Sequence, residues 1–254
     1  RSVSAFLLNR SSDLEIVVNI LCAFSSPNVQ IETEYEVQHI EYQNYKWIVN
    51  DYPLAFDYLV FASGSPANIL PKNAAHYNAF LDDLNLKTNV LQPSLVGFRL
   101  LDYPKSLSGC RAKAFVSLYQ KNKLVHKELG EVTFKDEGVS GIVVMNLSAY
   151  YGRLLKQDNC RLQFNFTYWN ETFDVGSFLK GGHLPDGLLH PKLLAYYERK
   201  PCDIQKLSLE IKDLYPMEAA QVCHGGIDLT EVDSDFRIRR YISRSEERFS
   251  RNAE

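Results

Sequence analysis

The sequence predicts an α/β protein with an inserted β-rich module, and three observations favour this fold class. Apolar residues recur at helical spacing near the start of the chain, and short strand-like runs follow them. From Ser94 onward, alternating strands joined by a hairpin turn replace this pattern. The chain has 254 residues, of which 45% are hydrophobic and 23% charged, so it can build one or two domains with real cores.

The first segment predicts a helix and then several strands. Residues 12–15 form a capping box that can satisfy free backbone amides at a helix start, and Pro27 ends the helix. The apolar positions at helical spacing are Leu14, Val17, Leu21 and Phe24. The strand-like runs are Val29–Thr33, Val37–Tyr42 and Tyr45–Val49, with a tight polar turn at Gln43-Asn44.

The stretch Phe56–Ala62 is almost continuously apolar, and a small-residue loop follows it. Such a run is typical of a short strand that is buried on both faces of a sheet. We therefore expect a buried strand that leads into the loop, and then a helix over Asn73–Leu84.

The β-rich module begins with strands of alternating composition and a hairpin turn at Gln120–Lys123. The strands are Ser94–Leu101, Ala112–Gln120 and Leu124–Leu129, and they predict a small antiparallel sheet or barrel. The elements expected after them are a helix over Ile142–Leu155, a strand over Arg161–Trp169, a helix over Leu188–Arg199 and a strand over Lys206–Lys212. In the last strand Leu207, Leu209 and Ile211 share one face.

The end of the chain has a different charge from the rest. Arg237–Glu254 holds six arginines and three acids, for a net charge of +3, whereas residues 1–236 sum to −6. This composition fits a solvated or frayed end, and the alternative is a basic binding arm. The net charge of the whole chain is −3, which favours neither a nucleic-acid partner nor an anionic membrane.

The cysteine spacing and the motifs in the sequence exclude several kinds of site. The five cysteines are scattered without metal-ligand spacing, which predicts free thiols in a reducing cytoplasm and no metal site; they are Cys22, Cys110, Cys160, Cys202 and Cys223. No run approaches 18 apolar residues, so no segment is expected to span a membrane. Gly138–Gly141 reads Gly-Val-Ser-Gly, which is not the nucleophile elbow of a hydrolase.

Several segments, taken in chain order, share a pattern with one protein family. They are Arg10–Ile20, Val29–Val37, Phe56–Gly64, Gln92–Val96, Leu107–Val116, Gly130–Phe134, Gly138–Gly141 and Ala220–Ile227 with Glu231-Val232. Phe56–Gly64 resembles a strand that ends in Ala-Thr-Gly-Gly, and Ala220–Ile227 resembles Ala-x-Val-Thr-x-Gly-Gly-Val. Over residues 1–236 the chain resembles the middle of the aminoacetone-oxidase-like (BaiN/YhiN-like) NAD(P)/FAD-dependent oxidoreductases.

The resemblance implies a partial, discontinuous FAD-binding Rossmann-like domain, built from residues 1–67 and 214–240. A β-barrel and a small helical module would be inserted over residues 68–213, and residues 241–254 would be a basic tail. It further implies FAD as cofactor, NAD(P)H as a possible electron donor, and a small amine or hydride donor as substrate.

The resemblance also assigns candidate site residues. The expected FAD contacts are Val37 near the adenine, Ala62, Ser63 and Gly64 along the dinucleotide, and Gly225, Gly226 and Ile227 near the isoalloxazine ring. The expected substrate side consists of Ser140, Gly141 and His224, of which His224 lies in a predicted loop. The alternative role is an ordinary turn for the glycines and an ordinary strand position for Val37.

Some features of the family are missing from this sequence. It lacks the amino-terminal Gly-rich loop that holds the FAD pyrophosphate and the carboxy-terminal Gly-Glu segment, and Cys223 stands where the family has threonine. We therefore expect this chain alone to bind FAD weakly or not at all. The rival interpretation is a non-catalytic, cofactor-free remnant of the same fold that serves as an interaction module.

Overall fold

The computed structural model describes residues 16, 18–21, 23, 29, 35–62, 65–68, 83–154, 157–169, 189–199 and 204–241. The chain forms two compact units. One unit, here called the discontinuous unit, combines residues 1–91 with residues 225–254, and the other, the barrel unit, is continuous over residues 92–224.

The discontinuous unit contains a β-hairpin. Its strands are β1 (Ile40–Gln43) and β2 (Lys46–Val49), which pair antiparallel. Between them Asn44 and Tyr45 have φ angles of 52° and 63°, the backbone that a two-residue hairpin turn needs to match the strand twist. The predicted polar turn is confirmed, one residue further along the chain than expected.

The core of this unit is a small cluster that the hairpin shares with a later segment. Its buried members are Ile40, Trp47, Leu84 and Leu86. The ring of Tyr241 lies 5.0 Å from the rings of both Tyr42 and Trp47, and its hydroxyl donates a hydrogen bond to the Leu84 carbonyl at 3.0 Å. Over residues 237–241 the expected solvated end is found only in part, because the arginines are exposed but Ile238 and Tyr241 pack against the cluster. Residues 242–254 lie outside the described residues.

The stretch Phe56–Ala62 is not a strand buried on both faces, which corrects the sequence prediction. Only Phe56 makes a β-bridge, to Trp47, whereas the side chains of Tyr58 and Val60 are 77% and 86% exposed. Leu59 and Phe61 pack against the core cluster instead. An apolar run does not distinguish burial on one face from burial on two, because apolar residues also occupy exposed positions.

Other expectations for the discontinuous unit are met in part or lie outside the described residues. The described residues between 16 and 23 are helical, but Leu21 is exposed rather than packed. The capping box, nearly all of Val29–Thr33 and most of the expected helix over Asn73–Leu84 lie outside the described residues.

The barrel unit is built around a closed six-stranded antiparallel barrel. The strands are β4 (Phe98–Leu100), β5 (Arg111–Gln120), β6 (Lys123–Phe134), β7 (Gly138–Ser140), β8 (Cys160–Asn165) and β9 (Leu207–Leu214). Around the barrel they follow the order β4-β7-β6-β5-β8-β9. Two further strands, β3 (Thr88–Ser94) and β10 (Val222–Ile227), form a two-stranded sheet, and the boundaries between the units fall within them.

The barrel interior is filled by aromatic and aliphatic side chains from alternate strand positions. Phe98, Phe134 and Phe164 have no solvent exposure, and the rings of the last two lie 5.8 Å apart. The predicted hairpin is confirmed, because Gln120 pairs with Lys123 across the turn. β5 pairs with β6 and β8, so the expected antiparallel module, separate from the Phe56 segment, is confirmed.

The described residues of the barrel unit include two α-helices. Helix α1 (Ile142–Gly152) ends three residues before the predicted end, and helix α2 (Pro191–Arg199) begins three residues after the predicted start. The Ser148 hydroxyl, buried on α1, accepts a hydrogen bond from the Val96 amide at 3.0 Å. The mixed α/β content and the barrel agree with the predicted fold class, whereas the Rossmann-like FAD domain stays a prediction.

In the described part of the chain, no helix has the length and apolar character needed to cross a membrane. Three described cysteines are free thiols, namely Cys110, Cys160 and Cys223. Burial raises the pKa of the Cys110 thiol to about 11, so this thiol stays protonated at neutral pH and is a poor nucleophile.

Candidate functional site

The fold brings together two of the expected cofactor contacts, Val37 and Ile227. Both side chains are half-buried and pack against the core cluster of the discontinuous unit. Their apolar contacts are sufficient to explain both residue types. Ala62 is exposed, and Ser63 and Gly64 lie outside the described residues.

Gly225 and Gly226 lie within strand β10 rather than in a loop. Their φ angles are +106° and +94°, a region that residues with a side chain adopt at a cost. A Cβ atom on Gly225 would lie 2.3 Å from the Val90 carbonyl oxygen, so the close approach of the two strands requires glycine there. A Cβ atom on Gly226 would make ordinary contact with Leu91 at 3.7 Å, so this position is constrained by its φ angle alone.

Asp228 fixes the backbone directly after β10, and the sequence analysis did not single it out. Its carboxylate accepts hydrogen bonds from the Thr230 amide (2.9 Å), the Thr230 hydroxyl (2.6 Å) and the Asn89 side-chain amide (3.2 Å). The Lys87 ammonium lies 3.6 Å away. These hydrogen bonds, first those from Thr230 and then that from Asn89, lower the pKa of Asp228 to about 2. An Asp-x-Thr pattern after a strand is the available sequence signal for such a cap.

The expected substrate-side residues have clear structural roles in the barrel unit. Ser140 ends β7 opposite Thr133, and Gly141 follows it immediately before α1 with a φ of +111°. A Cβ atom on Gly141 would lie 2.4 Å from the Glu131 carbonyl oxygen, so β6 itself excludes a side chain there. His224 is exposed on β10. The geometry therefore groups Ser140 with Gly141, and His224 lies on a different strand.

The described residues do not form a complete FAD site. The space beside Gly225 is filled by the backbone of Val90, and Ala62 is open to solvent. Gly226 is buried, and a Cβ atom there would touch the Leu91 side chain without displacing any backbone. No reaction step through the cofactor follows from this geometry.

A second feature, which the sequence analysis missed, is a groove of about 520 Å³ on the barrel unit. It is lined by Arg99, Leu100, Tyr103, Lys105, Ser108, Asp136, Glu137 and Lys212. These residues come from β4 and the segment after it, from the turn between β6 and β7, and from β9. β4 pairs with both β7 and β9, and this pairing brings the separate segments together. No local motif could have revealed a site assembled in this way.

Comparison of the chain with protein-family models gives no match, and comparison with curated proteins gives no match either. The resemblance to the aminoacetone-oxidase-like flavoproteins therefore depends on the segments quoted from the sequence.

Proposed function

We propose that this chain is part of an FAD-dependent oxidoreductase that acts on a small amine or hydride donor, with NAD(P)H as a possible electron donor. One observation carries the proposal. A continuous unit containing a closed β-barrel, residues 92–224, interrupts a unit formed from residues 1–91 and 225–254. A discontinuous domain with a barrel inserted in it is the organisation that the resemblance implies.

The chain's own residues would contribute a small part of the cofactor environment. When bound, FAD supplies the redox chemistry, and the protein supplies position, electrostatics and shelter from water. Gly226 would allow a ring system to approach the backbone of β10, because a glycine has no side chain to intervene. Val37 and Ile227 would form an apolar wall beside it, since both pack on the same core cluster.

The proposal is tested by titrating the purified chain with FAD and following flavin fluorescence and the thermal midpoint. We expect weak but saturable binding, because the described residues supply only a few of the expected FAD contacts. The Gly226→Val variant should lose that binding. The matched control is Gly152→Val, because among the described residues a Cβ placed on Gly152 meets nothing within 4 Å apart from its chain neighbours and its own helix backbone.

The outcome separates the proposal from its rival, a cofactor-free interaction module. The incomplete FAD site is the observation that favours the rival. Saturable FAD binding that a folded Gly226→Val variant loses would support the proposal. Absence of saturable FAD binding by a folded wild-type chain would support the rival. Equal FAD affinity in the wild type and in a folded Gly226→Val variant would remove β10 from the site.

A further inference from the structure

We propose that the groove on the barrel unit binds a small molecule through an oxyanion group, a carboxylate or a phosphate. None of the residues that line the groove is among the expected flavin contacts or the expected substrate side. The inference therefore goes beyond the proposed oxidoreductase function and does not depend on it.

The charges around the groove favour an anion. Asp136 accepts a hydrogen bond from the Ser108 hydroxyl, and Glu137 lies 3.7 Å from the Nε atom of Arg99. Both acids are therefore already engaged by neighbouring groups. Lys105 and Lys212 are exposed and form no ion pair with another described residue. Two ammonium groups thus remain for a ligand of opposite charge.

The groove also contains a buried donor without a hydrogen bond. The Tyr103 hydroxyl is inaccessible to solvent and has no hydrogen-bond partner among the described residues. The Arg99 Nε atom is also inaccessible and not hydrogen-bonded, but Glu137 already faces it at 3.7 Å. Buried polar groups in folded proteins are almost always hydrogen-bonded, so the Tyr103 hydroxyl beside the groove indicates a missing acceptor. Burial, and next the nearby Tyr215, raise the pKa of Tyr103 above its ordinary value, so its hydroxyl remains a donor at neutral pH.

Neighbouring rings support both donors. The Tyr103 ring stacks on Phe134, a fully buried side chain of the barrel interior, with the ring centres 6.5 Å apart. The Arg99 guanidinium lies over the Tyr215 ring, 5.6 Å from its centre. These contacts hold the donors in place before a ligand arrives, which lowers the entropy cost of binding. The volume of about 520 Å³ lies within the range of small-molecule sites.

The experiment is isothermal titration calorimetry of the full chain with two probes, inorganic phosphate and acetate, in a buffer free of other oxyanions. We expect saturable binding of at least one probe, and the probe that binds identifies the oxyanion. The double variant Lys105→Gln with Lys212→Gln should weaken binding by about tenfold or more. Tyr103→Phe, which removes only the hydroxyl, should weaken it by about fivefold.

Two controls keep the result specific. Lys123→Gln removes an exposed lysine of β6 that does not line the groove, and it should leave probe affinity unchanged. Gly226→Val should also leave phosphate affinity unchanged, so loss of flavin binding and loss of oxyanion binding are separately measurable. The proposal is overturned if neither probe binds the folded wild type, or if Lys123→Gln reduces affinity as much as the double groove variant does.

Discussion

The two units of this chain are stabilised in different ways. In the barrel unit, closure pairs every barrel strand on both sides, and the interior holds fully buried rings such as Phe98, Phe134 and Phe164. In the described part of the discontinuous unit, a two-stranded hairpin rests on a four-residue cluster. Tyr58 and Val60, two large apolar side chains there, remain more than three-quarters exposed. Strand closure thus produces a self-sufficient core, whereas the hairpin depends on side chains from distant segments.

The largest expected effect is truncation of the barrel core. Phe134→Ala removes a fully buried ring and should lower the free energy of unfolding by about 3–5 kcal/mol. Its matched control in the discontinuous unit is Phe236→Ala, because that side chain is 84% exposed and its removal should change stability by less than about 0.5 kcal/mol. Urea unfolding of both variants, followed by far-ultraviolet circular dichroism, measures the contrast. Equal losses would contradict the burial of Phe134 in the barrel interior.

A smaller effect is expected at the paired glycines of β10. Gly225→Ala would force a Cβ atom to within 2.3 Å of the Val90 carbonyl oxygen and should destabilise the chain by about 1–3 kcal/mol. Gly226→Ala adds only the unfavourable φ angle, so its loss should lie nearer about 1 kcal/mol. Thermal unfolding of the two variants, measured side by side, shows which substitution destabilises the chain more. The account is contradicted if Gly226→Ala is the more damaging change.

The contact between Tyr241 and the β1–β2 hairpin should contribute less to the free energy of unfolding. Tyr241→Phe keeps the edge-to-face ring contacts with Tyr42 and Trp47 but removes the hydrogen bond to the Leu84 carbonyl. We expect a loss of about 0.5–1.5 kcal/mol in the free energy of unfolding. An unchanged denaturation midpoint would show that this hydroxyl does not hold the segment in place.

The smallest effect is the acid dependence that Asp228 contributes. Its folded-state pKa of about 2 lies below the unfolded value of about 4, so its stabilising contribution is full above about pH 4. That contribution is lost as the pH falls from about 4 to about 2. Asp228→Asn should flatten the dependence of the urea midpoint on pH in this window. If the urea midpoint of the variant depends on pH as steeply as that of the wild type, the acid sensitivity comes from other carboxylates.

The same contrast explains which parts of the fold were predictable. In β8 and β9 apolar and polar residues alternate, and this alternation shows directly which side chains face the barrel interior. The predicted hairpin at Gln120–Lys123 follows from local turn chemistry. The stretch Phe56–Ala62 was misread because its apolar composition does not report which side is covered. The packing of Tyr241 on the hairpin was missed because it joins segments about 200 residues apart, and no local pattern encodes it.

The candidate sites differ for a similar reason. The glycines at 141, 225 and 226 are candidate site residues through the family resemblance, and all three have a positive φ angle, which favours glycine. Their immediate cause at 141 and 225 is contact with neighbouring backbone, which only the three-dimensional arrangement reveals. The groove around Arg99 and Tyr103 draws on three separate parts of the barrel, so its donors come together only on folding.

Hydrogen–deuterium exchange of the full chain, with and without saturating FAD, tests the proposed function most directly. The account predicts that FAD slows exchange in peptides covering residues 35–40 and 224–228, because Val37, Gly226 and Ile227 would line its site. Peptides of the β5–β6 hairpin should be unaffected. Protection confined to residues 92–223, or no change at residues 224–228 with FAD bound, would contradict a flavin site on the discontinuous unit.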